Sequence, residues 1–309
     1  MELQNATKIF ENALKGKYAV GAFNFVNMEV LKSILDTAEK EKSPVIVQCS
    51  TGAIKYAGLD MLVSMCRTLA KDMTVPVCLN LDHGKTFEEC KACIDAGFTN
   101  VMIDASGLPY DENVALTRQV VEYAHKHNVT VEAEIGVLAG VEDEVSHSED
   151  DAKYTNPEQA YQFVKDTGVD SLAIAIGTSH GTVKFKGDPK LRFDILEKVE
   201  ELLPNFPIVL HGASSIPQDL VKLGEEYGAK LKGSCGVPGN MLNEACHHNV
   251  CKINVDSDLR LAFTVGLRKS LAENPENVDM RKYNTLGMDL IKQVVADKMN
   301  NVFESANKA

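Results

Sequence analysis

Eight short runs of apolar, often β-branched residues recur along this chain at intervals of roughly 24 to 44 residues, the size of one strand-and-helix unit. They are YAVGAFNF (18–25), PVIVQCS (44–50), PVCLNLDH (76–83), NVMIDAS (100–106), VTVEAEIG (129–136), DSLAIAIGTSH (170–180), PIVLHGAS (207–214) and CKINVDSD (251–258). Most are nearly continuous in apolar character, as strands buried on both faces must be. Between them, MEVLKSILDTAEKEK (28–42), GLDMLVSMCRTLAKD (58–72) and DENVALTRQVVEYAHKH (111–127) carry apolar residues at helical spacing. FEECKACIDAGF (87–98) and PEQAYQFVKDTG (157–168) predict shorter helices that stop at a glycine. Eight such units predict an α/β chain of the (β/α)8 TIM-barrel type, a single domain over 1–309 with barrel strands at about 18–258 and a C-terminal helical extension at about 259–309. A doubly wound open sheet is the alternative, but no G-x-G-x-x-G follows the first strand.

The strand ends carry the chemistry. They finish on Asn24, Ser50, Asp82 with His83, Asp104, Glu134, Ser179 with His180, His211 with Ser214, and Asn254 with Asp256. In a barrel these ends converge on one rim, where active sites sit. His83, His180 and His211 each stand beside a glycine, and three imidazoles with one open position suit a catalytic divalent metal, most simply zinc. Asp82 beside a metal site is a natural proton acceptor, or else a group that orients a histidine. Adjacent residues of a regular strand face opposite ways, so Asp82 and His83 share a site only if the chain turns there, and Gly84 permits it. Asp104 and Glu134 can orient ligands, bind the metal in an alternative position, or pair with a nearby lysine. Cys90 and Cys93 form a C-x-x-C without a second pair, inside an amphipathic helix, and read as packed cysteines.

A formal net charge of −12 argues against nucleic-acid and membrane-surface partners. It does not bar an anionic substrate, because GTSHGTVK (177–184), HGASS (211–215) and NVDSD (254–258) supply glycines, hydroxyls and a lysine late in the barrel, where phosphates bind. No apolar run reaches the roughly 18 residues of a membrane span, and the first residues lack a signal-peptide core. Eight cysteines scattered through strand and helix segments fit reduced thiols in a cytoplasmic protein.

VGAFNF, VQCSTGAIKY, LDHGKTFE, VMIDAS, VEAEIG, GVEDEV, AIGTSHG, LHGASSIP, GVPGNM and CKINVDSDLR, in this order along almost the whole chain, resemble class II, metal-dependent fructose-1,6-bisphosphate aldolase. The resemblance implies reversible aldol cleavage of fructose 1,6-bisphosphate to dihydroxyacetone phosphate and glyceraldehyde 3-phosphate. It implies that His83, His180 and His211 bind Zn2+, that Asp82 exchanges the proton of the C4 hydroxyl, and that Asn254 helps hold the enediolate. Gly181, Lys184, Gly212 and Ser214 would contact the phosphate of the dihydroxyacetone-phosphate half, with Asn254, Asp256 and Ser257 closing that pocket. A monovalent cation (Na+ or K+) would sit near Gly181 and Gly212. Glu142 matches an acid of a mobile loop that shuttles the C1 proton. Asn24 would contact substrate, and Ser50, Arg260 and Arg281 would serve the far phosphate, one arginine reaching across the interface of a homodimer or homotetramer.

Tagatose-1,6-bisphosphate aldolase shares this metal site, but relatives of that type tend to read N-V-A-T-E at the last strand, so Asp256 and Lys184 favour the fructose epimer. A metal-dependent barrel hydrolase would commonly carry H-x-H on the first strand, which here ends AFNF. A non-catalytic scaffold has no use for the Asp82–His83 pair. A Schiff-base aldolase needs a strand lysine, and only Lys252 qualifies, at the start of its strand and thus at the wrong end of the barrel.

Overall fold

The computed structural model describes residues 2–137, 140–142, 145–147, 154–179, 191–231 and 233–309. In chain order its strands are β1 (Val20–Asn24), β2 (Val45–Ser50), β3 (Val77–Gly84), β4 (Asn100–Ile103), β5 (Thr130–Ile135), β6 (Gly140–Glu142), β7 (Val145–His147), β8 (Ser171–Ile174), β9 (Ile208–Leu210) and β10 (Val250–Val255). Eight of them close into a barrel in the order β1-β10-β9-β8-β5-β4-β3-β2, every neighbouring pair parallel. These are the eight runs of the sequence with their bounds shifted: most are trimmed, while β3 runs on to Gly84 and β10 starts at Val250. β6 and β7 form a separate antiparallel hairpin where the sequence suggested a plain loop.

The helices alternate with the strands: α1 (Ala6–Gly16), α2 (Met28–Glu41), α3 (Thr51–Ala57), α4 (Leu59–Ala70), α5 (Phe87–Ala96), α6 (Tyr110–Lys126), α7 (Pro157–Thr167), α8 (Phe193–Leu202), α9 (Gln218–Glu226), α10 (Gly239–Cys246), α11 (Ser257–Glu273) and α12 (Met280–Asp297), followed by a π-helix at Lys298–Val302. Apolar faces of the helices and the outward faces of the strands make one core between the two layers, including Leu31, Leu62, Phe98, Phe163 and Phe303. Cys90 and Cys93 are buried in that core as free thiols, as their helical setting suggested.

A second, smaller cluster lies at the opposite end from the polar rim. Ile9, Phe10 and Ala13 of α1 pack on Val20, Ile46, Cys78 and Cys251, near the starts of four strands. The amide of Ala6 donates to Thr130 Oγ1 at 3.1 Å, and that of Gln4 to the carbonyl of Val77 at 2.9 Å. α1 therefore plugs the N-terminal mouth of the barrel and leaves the C-terminal rim as the open one.

Candidate active site

The local event that builds the site is a β-bulge in β3. Leu81 pairs with Val101 and Gly84 with Ile103, so Asp82 and His83 together oppose Met102 alone. The extra residue breaks the two-residue alternation of side chains. His83 takes a left-handed conformation at φ 52°, a region that histidine enters more readily than most side chains. Gly84 is held against Met102, where an added Cβ would lie 2.9 Å from the Met102 carbonyl oxygen. A capping box restarts the chain as α5: Thr86 Oγ1 accepts from the Glu89 amide, and Glu89 accepts from the amides of Lys85 and Thr86. This fixes the exit of the strand and turns Asp82 and His83 towards one site.

Each oxygen of Asp82 accepts from an amide side chain. Asn24 Nδ2 donates to Oδ2 at 2.8 Å and Asn254 Nδ2 to Oδ1 at 2.9 Å. The orientation of Asn24 is set from below by a chain of buried side chains that crosses the barrel. Gln48 donates to Asn24 (2.7 Å), Asn80 to Gln48 (3.0 Å), Asn100 to Asn80 (2.7 Å) and Thr130 to Asn100 (2.5 Å). Every amide donates towards the rim, so none can flip without leaving a buried group unpaired.

The two histidines of the described site are tethered alike. His83 Nδ1 lies 3.0 Å from Asp104 Oδ2, and His211 Nε2 lies 2.6 Å from Glu132 Oε1. The other ring nitrogens, His83 Nε2 and His211 Nδ1, then face each other at 2.9 Å. Asn254 Nδ2 is also 3.1 Å from His211 Nδ1, so Asn254 joins the carboxylate to the imidazole pair. Such carboxylate–histidine tethers are the usual support of a metal ligand. In the metal-free protein this contact is a hydrogen bond, His83 Nε2 donating and His211 Nδ1 accepting, and Asp82, His83 and His211 together form a group that could hold a cation in place of that proton. The donor set therefore fits a divalent metal. His83, Asp104 and Glu134 form a second such group. Glu134 Oε2, 4.0 Å from His83 Nδ1, has no hydrogen-bond partner among the described residues.

Electrostatics follow from this burial. For His83, burial is the largest influence and disfavours the imidazolium, but Asp104, Asp82 and Glu134 outweigh it and push its pKa up to about 10. Burial lowers that of His211. Burial opposes the charge of Asp104, yet His83 and Lys85, the latter 2.5 Å away, hold its carboxyl well below the usual range. Glu132 is likewise disfavoured by burial but brought down to about 2 by Lys252 and His211. Glu134, buried beside the Asp104 charge, is pushed up to about 8.

Lys252 corrects the sequence reading. It lies inside β10, fully buried, with Nζ 2.8 Å from Glu132 Oε2. It is thus under the site rather than remote from it, because its ammonium meets the carboxylate that holds His211 inside the barrel. Its ammonium is occupied in pairing the carboxylate that tethers His211. Glu132 itself escaped notice in the sequence, although an acidic pair at Glu132 and Glu134, two apart in an apolar run, places both on one face of the strand.

Other expected residues distribute unevenly. His180, Gly181 and Lys184 lie outside the described residues, and of Glu142 only its place in β6 is described. Ser50 caps α3, accepting from the Ala53 amide. A cavity of about 550 Å³ opens between the ends of β1, β2 and β10, lined by Asn24, Asn27, Ser50, Asp256 and Arg260 among others. Arg260 pairs with Asp256 at 2.8 Å. Gly212 has φ 57°, and Ser214 is buried beside it. Ser257 opens α11. Arg281 is absent from the cavity wall: it stands exposed at the start of α12, bound to Asp279.

A carboxylate aimed beside a metal pocket at the open rim of a (β/α)8 barrel defines a metal-dependent barrel enzyme. Comparison with known proteins narrows that class. The family model described as class-II fructose-bisphosphate aldolase matches residues 4–308. A protein of Helicobacter pylori (strain 26695) named fructose-bisphosphate aldolase is 48% identical, over 99% of both chains. One of the same name from Treponema pallidum is 46% identical, over 99% of this chain and 98% of its own. Among solved structures, the YdjI aldolase of Escherichia coli K12 superposes with a TM-score of 0.81 at 29% identity, covering both chains completely. The chain belongs to the class-II fructose-bisphosphate aldolase family, whose members depend on a metal. Among the described residues, no helix is long and apolar enough to cross a membrane.

Proposed function

We propose that this chain carries out the reversible cleavage of fructose 1,6-bisphosphate to dihydroxyacetone phosphate and glyceraldehyde 3-phosphate, with the work divided among the residues of the rim. His83, His211 and, on the sequence, His180 hold a zinc ion. When bound, the ion supplies a Lewis acid for the negative charge that cleavage leaves on the former carbonyl oxygen. Asp82 accepts the C4 hydroxyl proton in cleavage and returns it in condensation. Asn24 and Asn254 hold the two carboxylate oxygens so that the free lone pairs point into the site. Asn254 Oδ1 is buried with no partner among the described residues, which leaves an acceptor for a substrate hydroxyl.

Gly212 and Ser214, with Gly181, Lys184 and the turn at Asn254, Asp256 and Ser257, bind the phosphate of the dihydroxyacetone-phosphate half. A Na+ or K+ ion near Gly181 and Gly212 offsets that phosphate's charge. Ser50 and Arg260, on the wall of the 550 Å³ cavity, serve the far phosphate. Arg281, exposed on α12, is presented to the neighbouring subunit of a homodimer or homotetramer. Glu142 handles the C1 proton. Asp104 and Glu134 accept the metal in an alternative position. The enzyme works in the cytoplasm as a single-domain barrel.

The observation that carries this reading is the bulge at Asp82 and His83, which gives one rim both a carboxylate and an imidazole. The deciding experiment is turnover of fructose and tagatose 1,6-bisphosphate by protein of measured metal content. A higher kcat/KM for fructose bisphosphate, lost on chelation and restored by zinc, is expected. Preference for the tagatose epimer, or phosphatase activity without carbon–carbon cleavage, would overturn it.

A further inference from the structure

Behind the 211–217 loop lies a buried ion pair for which the reaction as described above has no use. Lys298 opens the C-terminal π-helix, and its Nζ is 2.9 Å from Asp258 Oδ2, both side chains almost wholly buried. Asp258 stands in the first turn of α11, immediately after the Asn254–Ser257 turn. Its Oδ1 accepts from the Ile216 amide at 2.6 Å and its Oδ2 from the Ser215 amide at 3.2 Å. Lys298 Nζ also donates to Ser215 Oγ. One carboxylate therefore ties the loop after β9 to the turn after β10.

The loop needs such a hold. Ile216 has φ 45°, a left-handed conformation that a β-branched residue preceding a proline strongly disfavours. Residues kept in such regions persist only where their surroundings over-determine them. The opposite side of the loop is also fixed: the Val237 amide donates to the Ser214 carbonyl at 3.1 Å, and a Cβ on Gly236 would collide with that same carbonyl. A buried ion pair is a poor way to gain stability, since apolar residues of similar volume serve as well or better. It does orient hydrogen-bond donors, which an apolar pair cannot.

We propose that Lys298 and Asp258 are positioning residues for the phosphate of the dihydroxyacetone-phosphate half, holding the 211–217 loop in its binding conformation from the C-terminal segment. This rests on the assignment of Gly212 and Ser214 to that phosphate. The pair touches no substrate; it acts through the Ser215 and Ile216 amides, and by linking the two loops it makes the phosphate pocket rigid.

The test is condensation kinetics on metal-loaded enzyme with each triose phosphate varied in turn. Lys298→Met is expected to raise KM for dihydroxyacetone phosphate about tenfold, with KM for glyceraldehyde 3-phosphate changed less than about twofold and metal content unaltered. Asp258→Asn moves the same constant in the same direction, and Lys298→Arg recovers most of the loss. Ser215→Ala, which removes one hydroxyl and leaves the ion pair, raises it about two- to threefold. Equal rises for both trioses, or an unchanged KM for dihydroxyacetone phosphate in folded Lys298→Met, would overturn the proposal. If that variant does not fold, an unchanged constant in Ser215→Ala overturns it instead. Ser214→Ala separates the two ideas. If it leaves that constant unchanged, the phosphate assignment fails; if it raises the constant while Lys298→Met does not, only the positioning role fails.

Discussion

His83 Nε2 stands 2.9 Å from His211 Nδ1, and each ring's other nitrogen is held by a carboxylate, Asp104 for His83 and Glu132 for His211. The tethers align a group that could hold a metal ion. His83→Ala should therefore lose bound zinc and activity together. Glu132→Gln keeps both imidazoles but weakens the tether of His211, and should lower zinc affinity by about 10–100-fold. Competition with a chromophoric chelator measures both. Wild-type affinity in Glu132→Gln would remove Glu132 from the metal site.

The proton-accepting role proposed for Asp82 is separable from metal binding by experiment. Asp82→Ala should retain zinc at the wild-type level and lose about 10²–10⁴-fold in kcat, the usual worth of a positioned proton acceptor. Among the described residues, Asn24→Ala leaves the carboxylate with only Asn254 as side-chain donor, and should reduce kcat less than loss of the carboxylate does. Metal analysis alongside turnover distinguishes the cases. Full turnover by Asp82→Ala would eliminate it as the base.

Metal binding should release protons and strengthen with pH. In the metal-free protein His83 is raised from 6.5 to about 10 and Glu134 from 4.5 to about 8. Both raised values mean that the folded state binds more protons than the unfolded state, so stability falls as pH rises. The Glu134 contribution is present below 4.5 and lost through 8; the His83 contribution is present below 6.5 and lost through 10. Metal-free protein should thus lose stability most steeply between 6.5 and 8, where the two windows overlap, by up to about 1.4 kcal/mol per pH unit for each group. Zinc, by replacing the His83 proton, should flatten that dependence. Denaturant melts at stepped pH, with and without zinc, and calorimetry in buffers of different ionisation enthalpy, read this directly. A pH-independent zinc affinity between 6.5 and 8 would contradict the coupling.

The barrel was legible because its signal is repetitive: eight apolar runs of the right length admit few topologies. The rim was legible because polar residues recur at the ends of nearly every buried strand, more often than caps and ion pairs such as Ser50 on α3 or Asp256 with Arg260 require. What escaped the sequence depends on the third dimension. The bulge that turns Asp82 and His83 together is one extra residue, and nothing in LNLDHGKT states on which strand it falls. Lys252 seemed to belong to the wrong end because a place near the start of a strand says nothing of which side chains its ammonium meets inside a barrel. Thr130 and Asn100 read as ordinary strand residues until the buried chain to Asn24 is traced. Asp258 and Lys298 are 40 residues apart in sequence and acquire meaning only when the C-terminal segment packs behind the loop after β9.

Gly212 and Gly168 share a left-handed φ but differ in what surrounds them. Gly212 has φ 57°, and a Cβ there would lie 2.6 Å from the Ser179 carbonyl carbon and 2.7 Å from its oxygen. Those atoms are backbone and cannot swing aside, so the two loops must separate. Gly168 has φ 69° at the end of α7, and a Cβ there would meet nothing within 4 Å. Gly168→Ala should therefore cost only the left-handed backbone penalty, about 1–2 kcal/mol, with kinetics unchanged. Gly212→Ala should cost the same penalty plus the collision, and should raise KM for dihydroxyacetone phosphate because the phosphate loop has moved. Chemical denaturation of both variants isolates the collision as their difference, and condensation kinetics locates its effect. Equal stability losses with unchanged KM in Gly212→Ala would mean that the Ser179 and Gly212 loops are free to part without consequence for the site.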